Sequence, residues 1–176
     1  PSNTEHPNDD NGHGTHVAGV IAESTNNGLE AAGIAYEALI MPVKACGLVT
    51  DSGPTPTPPA TPAPPVYGCR QDDVADAIDW AVTHGADVIN ISAGSAGQSA
   101  SIQIEAVNRA LGAGILVVAA SGNGGADKVG DPNLNYPAAL PGVIAVGATG
   151  MTGERASYSN YGSSPEDPER TLDVVA

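Results

Sequence analysis

The chain has 176 residues, enough for one domain with its own core or for a large piece of a bigger one. Hydrophobic residues make up 41% and aromatics 3%, with no Phe, which predicts a globular core of small aliphatics suited to close helix-on-sheet packing. Six Lys and Arg against 20 Asp and Glu give a net charge of -14, a field that repels polyphosphates, argues against nucleic acid as a partner, and reads most plainly as a solvated acidic surface.

Residues 12–22 read as a helix rich in small residues, with His13, Val17, Val20 and Ile21 on one face. Glycines inside a helix are costly, so a close neighbour is expected against it. Asn26-Asn27-Gly28 marks a turn. Residues 38–45 read as a strand, with Pro42 arguing for an edge or a bulge. The next segment, about 47–69, holds seven of the fifteen prolines and is expected to be a surface insertion of polyproline character. Cys46 and Cys69 bracket it. A disulfide there would close the loop and imply an oxidising compartment; two free thiols are the alternative.

Residues 72–84 form a clear helix pattern with Val74, Ile78, Ala81 and Val82 on one face, Asp72 and Asp73 at its positive start and Gly85 as its stop. Strands are predicted at 87–91, 115–119 and 143–148, and another begins at Leu172. A helix over 101–111 places Ile104, Val107 and Leu111 inward. Strands alternating with helices of this length predict βαβ units, hence a doubly wound α/β fold with a mostly parallel sheet. The longest strongly apolar run, residues 115–120, is far shorter than the ~20 residues of a membrane span. Pro1-Ser2-Asn3-Thr4 begins abruptly, without Met or signal peptide, and the chain stops inside an apolar stretch. It is expected to be cut at both ends.

Asp10-Asn11-Gly12-His13-Gly14-Thr15-His16-Val17-Ala18-Gly19 resembles the histidine motif of the subtilisin-like serine peptidases. Five further stretches resemble the same family in its own order: 87–94, 117–124, 135–139, 143–148 and 155–162. The resemblance covers nearly everything except the proline-rich insertion, and implies a three-layer, doubly wound sheet that is incomplete here. It also implies a secreted endopeptidase that cleaves protein or peptide substrates by a Ser-His-Asp mechanism.

A hydroxyl nucleophile needs a neighbouring base with a near-neutral pKa, and His13 takes that part by resemblance. Asn123 matches the residue that donates to the developing oxyanion. Ser92, Ala93 and Gly94 match the edge that takes an extended peptide as an added strand. Ala120, Ser121 and Gly122 match the specificity pocket, and their small side chains imply a roomy, uncharged one. Neither Ser92 nor Ser121 stands in the family's nucleophile motif. The triad Asp and Ser are expected outside the 176 residues, so this chain alone is expected to be inactive.

His16 is expected to be a packed histidine. A zinc pair with His13 would lack the Glu base and third ligand of the metallopeptidase pattern. Residues 25–30 resemble a calcium-binding loop of many members, with Asn27 as candidate ligand, though the loop departs in length and at Glu30. No cofactor is required for the chemistry, and structural calcium is an option. His6 and His84 are expected to be exposed. The alternatives to a peptidase are an inactive peptide-binding relative and a metal-dependent hydrolase built on His13 and His16. The sequence does not address oligomeric state.

Overall fold

A computed structural model of the chain describes residues 8–29, 31–49, 66–124, 130–164, 169 and 171–176. His6, Glu30 and most of the proline-rich insertion lie outside them. The chain divides into two compact units, Pro1–Val74 and Ala75–Ala176.

In the first unit, helix α1 (His13–Ala22) is held at both ends by residues outside it. The Asp9 carboxylate receives the N–H groups of Asn11, Gly12 and Thr15 and the Thr15 hydroxyl at its N-terminus. At the other end the N–H groups of Gly33, Ile34 and Ala35 donate to the carbonyls of Glu23, Val20 and Ile21. Groups that a helix leaves unpaired are thereby satisfied on both sides. The close approach expected at the helical glycines falls elsewhere. Among the described residues a side chain at Gly14 or Gly19 would meet only carboxylate oxygens at 3.7 Å, whereas one at Gly33 would lie 2.4 Å from the backbone of Glu23. No residue of α1 is fully buried. Val17 and Ile21 are half-buried, while His13 and Val20 on the same face are exposed.

Residues 38–45 do not form the predicted strand. The segment is irregular, Leu39 is 98% exposed, and Pro42 has no N–H to offer a ladder. Pairing begins immediately after it. Strand β1 (Cys46–Val49) runs antiparallel to β2 (Val66–Cys69), in the register Cys46↔Cys69 to Val49↔Val66. The Cys46–Cys69 disulfide crosses the base of this ribbon. Its neighbours tie it to the chain before α1: the Tyr67 hydroxyl donates to the Asp10 carbonyl, and Lys44 binds both the Asp10 carboxylate and the Asn8 carbonyl.

Helix α2 (Gln71–Thr83) has Asp72 and Asp73 in its first turn and buries Val74, Ala75, Ile78 and Ala81. In the second unit, β3 (Val88–Ile91), β4 (Leu116–Ala120), β5 (Ile144–Gly147) and β6 (Val174–Val175) form one parallel sheet in that order. Helix α3 (Ser101–Gly112) joins β3 to β4. The chain is therefore an α/β structure with a parallel sheet. Burial alternates along the strands, because successive side chains take opposite faces. Ile89, Val117, Ala119 and Ala145 are buried on one face, with Ile89 beside Val117 and Ala119 beside Ala145 in register.

On α3 the buried stripe is Gln103, Ala106, Val107 and Ala110, with Ile104 and Leu111 only half-buried at its margin. The apolar part of the stripe is two alanines and one valine. Gln103 is tolerated inside because Ser99 donates to its side-chain oxygen. Arg109 grips Asp79 with two hydrogen bonds of 2.8 and 2.7 Å, fastening α3 to α2.

Candidate active site

The carboxyl ends of parallel strands are where α/β sheets place their ligands. Here the ends of β3, β4 and β5 surround a cleft of about 280 Å³. Ser92, Ala120, Ser121, Gly122 and Asn123 all line it, together with Asn90, Val118 and Val146 from the sheet face opposite the buried one. Five residues singled out from the sequence thus meet around one cavity. Ala93 and Gly94 do not line it. They follow β3 beyond the last ladder pair, Ile91↔Ala119, and precede the two-hydrogen-bond bridge between Ser95 and Tyr136. The approach is tight, since a side chain at Gly94 would lie 2.9 Å from the Tyr136 carbonyl oxygen.

The loop after β4 makes its turn through Gly122, whose φ of +115° is open to glycine and strained for other residues. A side chain there would also lie 2.5 Å from the Asn160 amide nitrogen and 2.6 Å from that of Asn135. Asn123 follows, exposed, with no hydrogen-bond partner for its side chain among the described residues. An unpaired amide donor on a fixed turn can give its N–H to a negative oxygen that forms beside it.

The two serines are engaged otherwise. Ser121 is buried and its hydroxyl donates to the Asn160 carbonyl, while the Ser92 hydroxyl accepts from the Asn90 amide. Among the described residues neither is bonded to an imidazole. Asn160 was not recognised from the sequence as a site residue, although it sits in a stretch that resembles the family. Its buried side chain contacts Gly124, Asp131, Asn133 and Asn135, residues up to 36 positions away, and only the folded chain brings them together.

His13 belongs to the first unit. It is the first residue of α1, preceded by Gly12 with φ +90°, and it is exposed. Asp9 shapes this turn. Its two oxygens accept at 3.0 and 2.8 Å from Asn11 and Gly12, and at 2.8 and 2.7 Å from the Thr15 N–H and hydroxyl. The Thr15 hydroxyl first, then the Thr15, Gly12 and Asn11 N–H groups, hold the Asp9 carboxyl well below the usual carboxylate range. Asp10 is lowered too, chiefly by Lys44 at 2.8 Å.

His16 is exposed rather than packed, on the first turn of α1. Among the described residues no group of three His, Cys, Asp or Glu side chains could hold a metal ion. Asn27 stands in an Asx turn with its side-chain oxygen accepting the Leu29 N–H at 3.0 Å. These contacts serve the turn and do not by themselves build a calcium cage. His84 is exposed and stacks on Trp80 at 3.8 Å. No helix among the described residues is long and apolar enough to cross a membrane.

The sequence profile described as "Subtilase family" matches residues 1–176. Subtilisin Savinase of Lederbergia lenta is 39% identical over 168 residues, covering 96% of this chain and 51% of that protein. M-protease of Shouchella clausii has the same identity over 96% of this chain and 36% of its own length. A minor extracellular protease of Bacillus subtilis is 40% identical over 90% of this chain and 21% of its own. Among solved structures, that of proteases from Pseudoalteromonas arctica superposes with a TM-score of 0.68 at 34% identity, over 91% of this chain and 42% of that one. The chain therefore spans about half, or less, of the relatives it matches. It belongs to the subtilase family.

Proposed function

We propose that the whole protein is an exported, subtilisin-like serine endopeptidase that hydrolyses peptide bonds in proteins. The reading is carried by the turn at Gly122–Gly124, which leaves the Asn123 amide without a partner among the described residues, at a cleft also lined by Ser92 and Ala120. In this reading the triad Ser and Asp lie outside the 176 residues. His13 takes the serine proton during attack and returns it to the leaving amine. Asn123 donates to the oxyanion. The backbone of Ala93 and Gly94, lying beyond the β3–β4 ladder, receives the substrate as an added strand. Ala120, Ser121 and Gly122 present small side chains to a large apolar residue. The Cys46–Cys69 bond supports export, because disulfides persist in oxidising compartments.

Labelling of the whole protein with a fluorophosphonate tests this. We expect labelling that His13→Ala abolishes. Asn123→Ala is expected to lower kcat by about 10²–10³, a magnitude established for such a donor in a subtilisin and carried over here. A protein that binds peptides but never labels would be an inactive relative. Activity lost to chelators and indifferent to the fluorophosphonate would point to a metal-dependent hydrolase. Either result overturns the reading.

A further inference from the structure

We propose that Asn160 is the positioning residue of the Asn123 loop, acting on catalysis only through the placement of that amide. The inference rests on the oxyanion role given to Asn123 and extends it to a residue 37 positions away in sequence. Asn160 is 1% exposed, and all four hydrogen-bonding positions of its side chain are filled. Its oxygen accepts from Gly124 N–H at 2.6 Å and from Asp131 N–H at 2.9 Å, which lie on either side of residues 125–129. Its amide donates to the Asn133 carbonyl at 3.0 Å and to the Asn135 side-chain oxygen at 3.3 Å. Its backbone N–H donates to the Gly122 carbonyl at 2.9 Å, and its own carbonyl accepts the Ser121 hydroxyl at 3.2 Å.

Asn160 thus binds Ser121, Gly122 and Gly124, and leaves the residue between the last two untouched. Such an arrangement fixes both neighbours of a functional side chain while its donor stays available. The chemistry is specific to a carboxamide. An Asp would turn an acceptor toward the Asn133 and Asn135 oxygens, and an Ala would take from two N–H groups and two acceptors the partner that Asn160 supplies.

A merely structural residue would lower stability and leave the catalytic effect of Asn123 unchanged, so a double-mutant cycle separates the two roles. In the whole protein, kcat and KM for a peptide substrate are measured with Asn160→Ala and Asn160→Ser, alone and combined with Asn123→Ala. We expect Asn160→Ala alone to lower kcat about 10- to 100-fold with KM within about threefold. In the Asn123→Ala background the same change should lower kcat by less than about threefold.

Equal losses in both backgrounds, or an unchanged kcat, would overturn the proposal while leaving Asn123 its role. An Asn123→Ala variant with wild-type kcat would instead remove the oxyanion assignment, and this inference with it. Amide exchange on the unaltered protein gives a check that needs no variant to fold. The Gly124 and Asp131 N–H groups should exchange at least ~100-fold more slowly than unstructured amides. Free exchange at both would overturn the proposal.

Discussion

Substituting Ala for Gly122 tests how tightly the turn beneath Asn123 is specified. Two costs arise, and the structure separates them. The first is conformational, since φ of +115° disfavours a residue with a side chain by about 1–3 kcal/mol. Gly97 has a similar φ of +101° with nothing within 4 Å of its missing side chain, so Gly97→Ala carries this first cost alone. The second cost belongs to Gly122. Its new methyl would stand 2.5 Å from the Asn160 amide nitrogen and 2.6 Å from that of Asn135, well inside contact distance. Both amides must retreat, and the Asn160 bonds to the Asn133 carbonyl and the Asn135 oxygen break. Each buried polar group left unpaired costs about 1–3 kcal/mol, so Gly122→Ala should lose about 2 kcal/mol or more beyond Gly97→Ala. Urea unfolding followed by the fluorescence of Trp80 measures both, with the m-value held as the check on a common transition. Losses that agree within about 0.5 kcal/mol would refute the packing argument.

Asp9 makes stability depend on acidity. Its pKa is depressed in the folded chain from an ordinary 3.8, so its contribution is complete above that value and is lost as pH falls through the lower folded one. Thermal melts between pH 2 and 6 should therefore show a shallower decline for Asp9→Asn than for the unaltered protein, and parallel declines would contradict the four-bond geometry. The Cys46–Cys69 bond spans 23 residues, for which chain entropy gives about 3 kcal/mol. Replacing both cysteines with Ser should lower the melting temperature of the first unit by several degrees, and reductant should do the same to the unaltered protein. A shift below about 1 °C in both would show that the bond restrains little.

Much of the second unit could be read from the sequence because its signals are local. The runs ending at Ile91, Ala120 and Gly147 are apolar strands, and helix α2 carries its acidic start in plain view. Periodicity was less informative on α3. Val107 is buried as expected, but Ile104 and Leu111, which look inward by size, are only half-buried, and Ala106 and Ala110 take the buried places beside it. The apolar run at 38–45 misled for a different reason: a strand needs a partner ladder, and Pro42 and an irregular backbone leave this run without one among the described residues.

Asn160 eluded sequence reading altogether. A buried polar hub has no period and no neighbouring partner, and its meaning lies in groups drawn from residues 121–135. His13 and Asn123 stood out by contrast, because each lies in a continuous stretch, 10–19 and 117–124, that resembles a motif of the family.

The stapled ribbon has a practical consequence for anyone altering this protein. Cys46 and Cys69 hold their Cα atoms 4.2 Å apart, which fixes the spacing of the two strands that flank residues 50–65. By chain entropy alone, doubling the length of a flexible loop costs only about 0.6 kcal/mol. Lys44 precedes the bond and Tyr67 lies on the ribbon beyond it, and both grip the approach to His13. An exchange of residues 50–65 for an epitope or an affinity sequence is therefore expected to keep the bracing of the histidine turn only where Cys46–Val49 and Val66–Cys69 are retained.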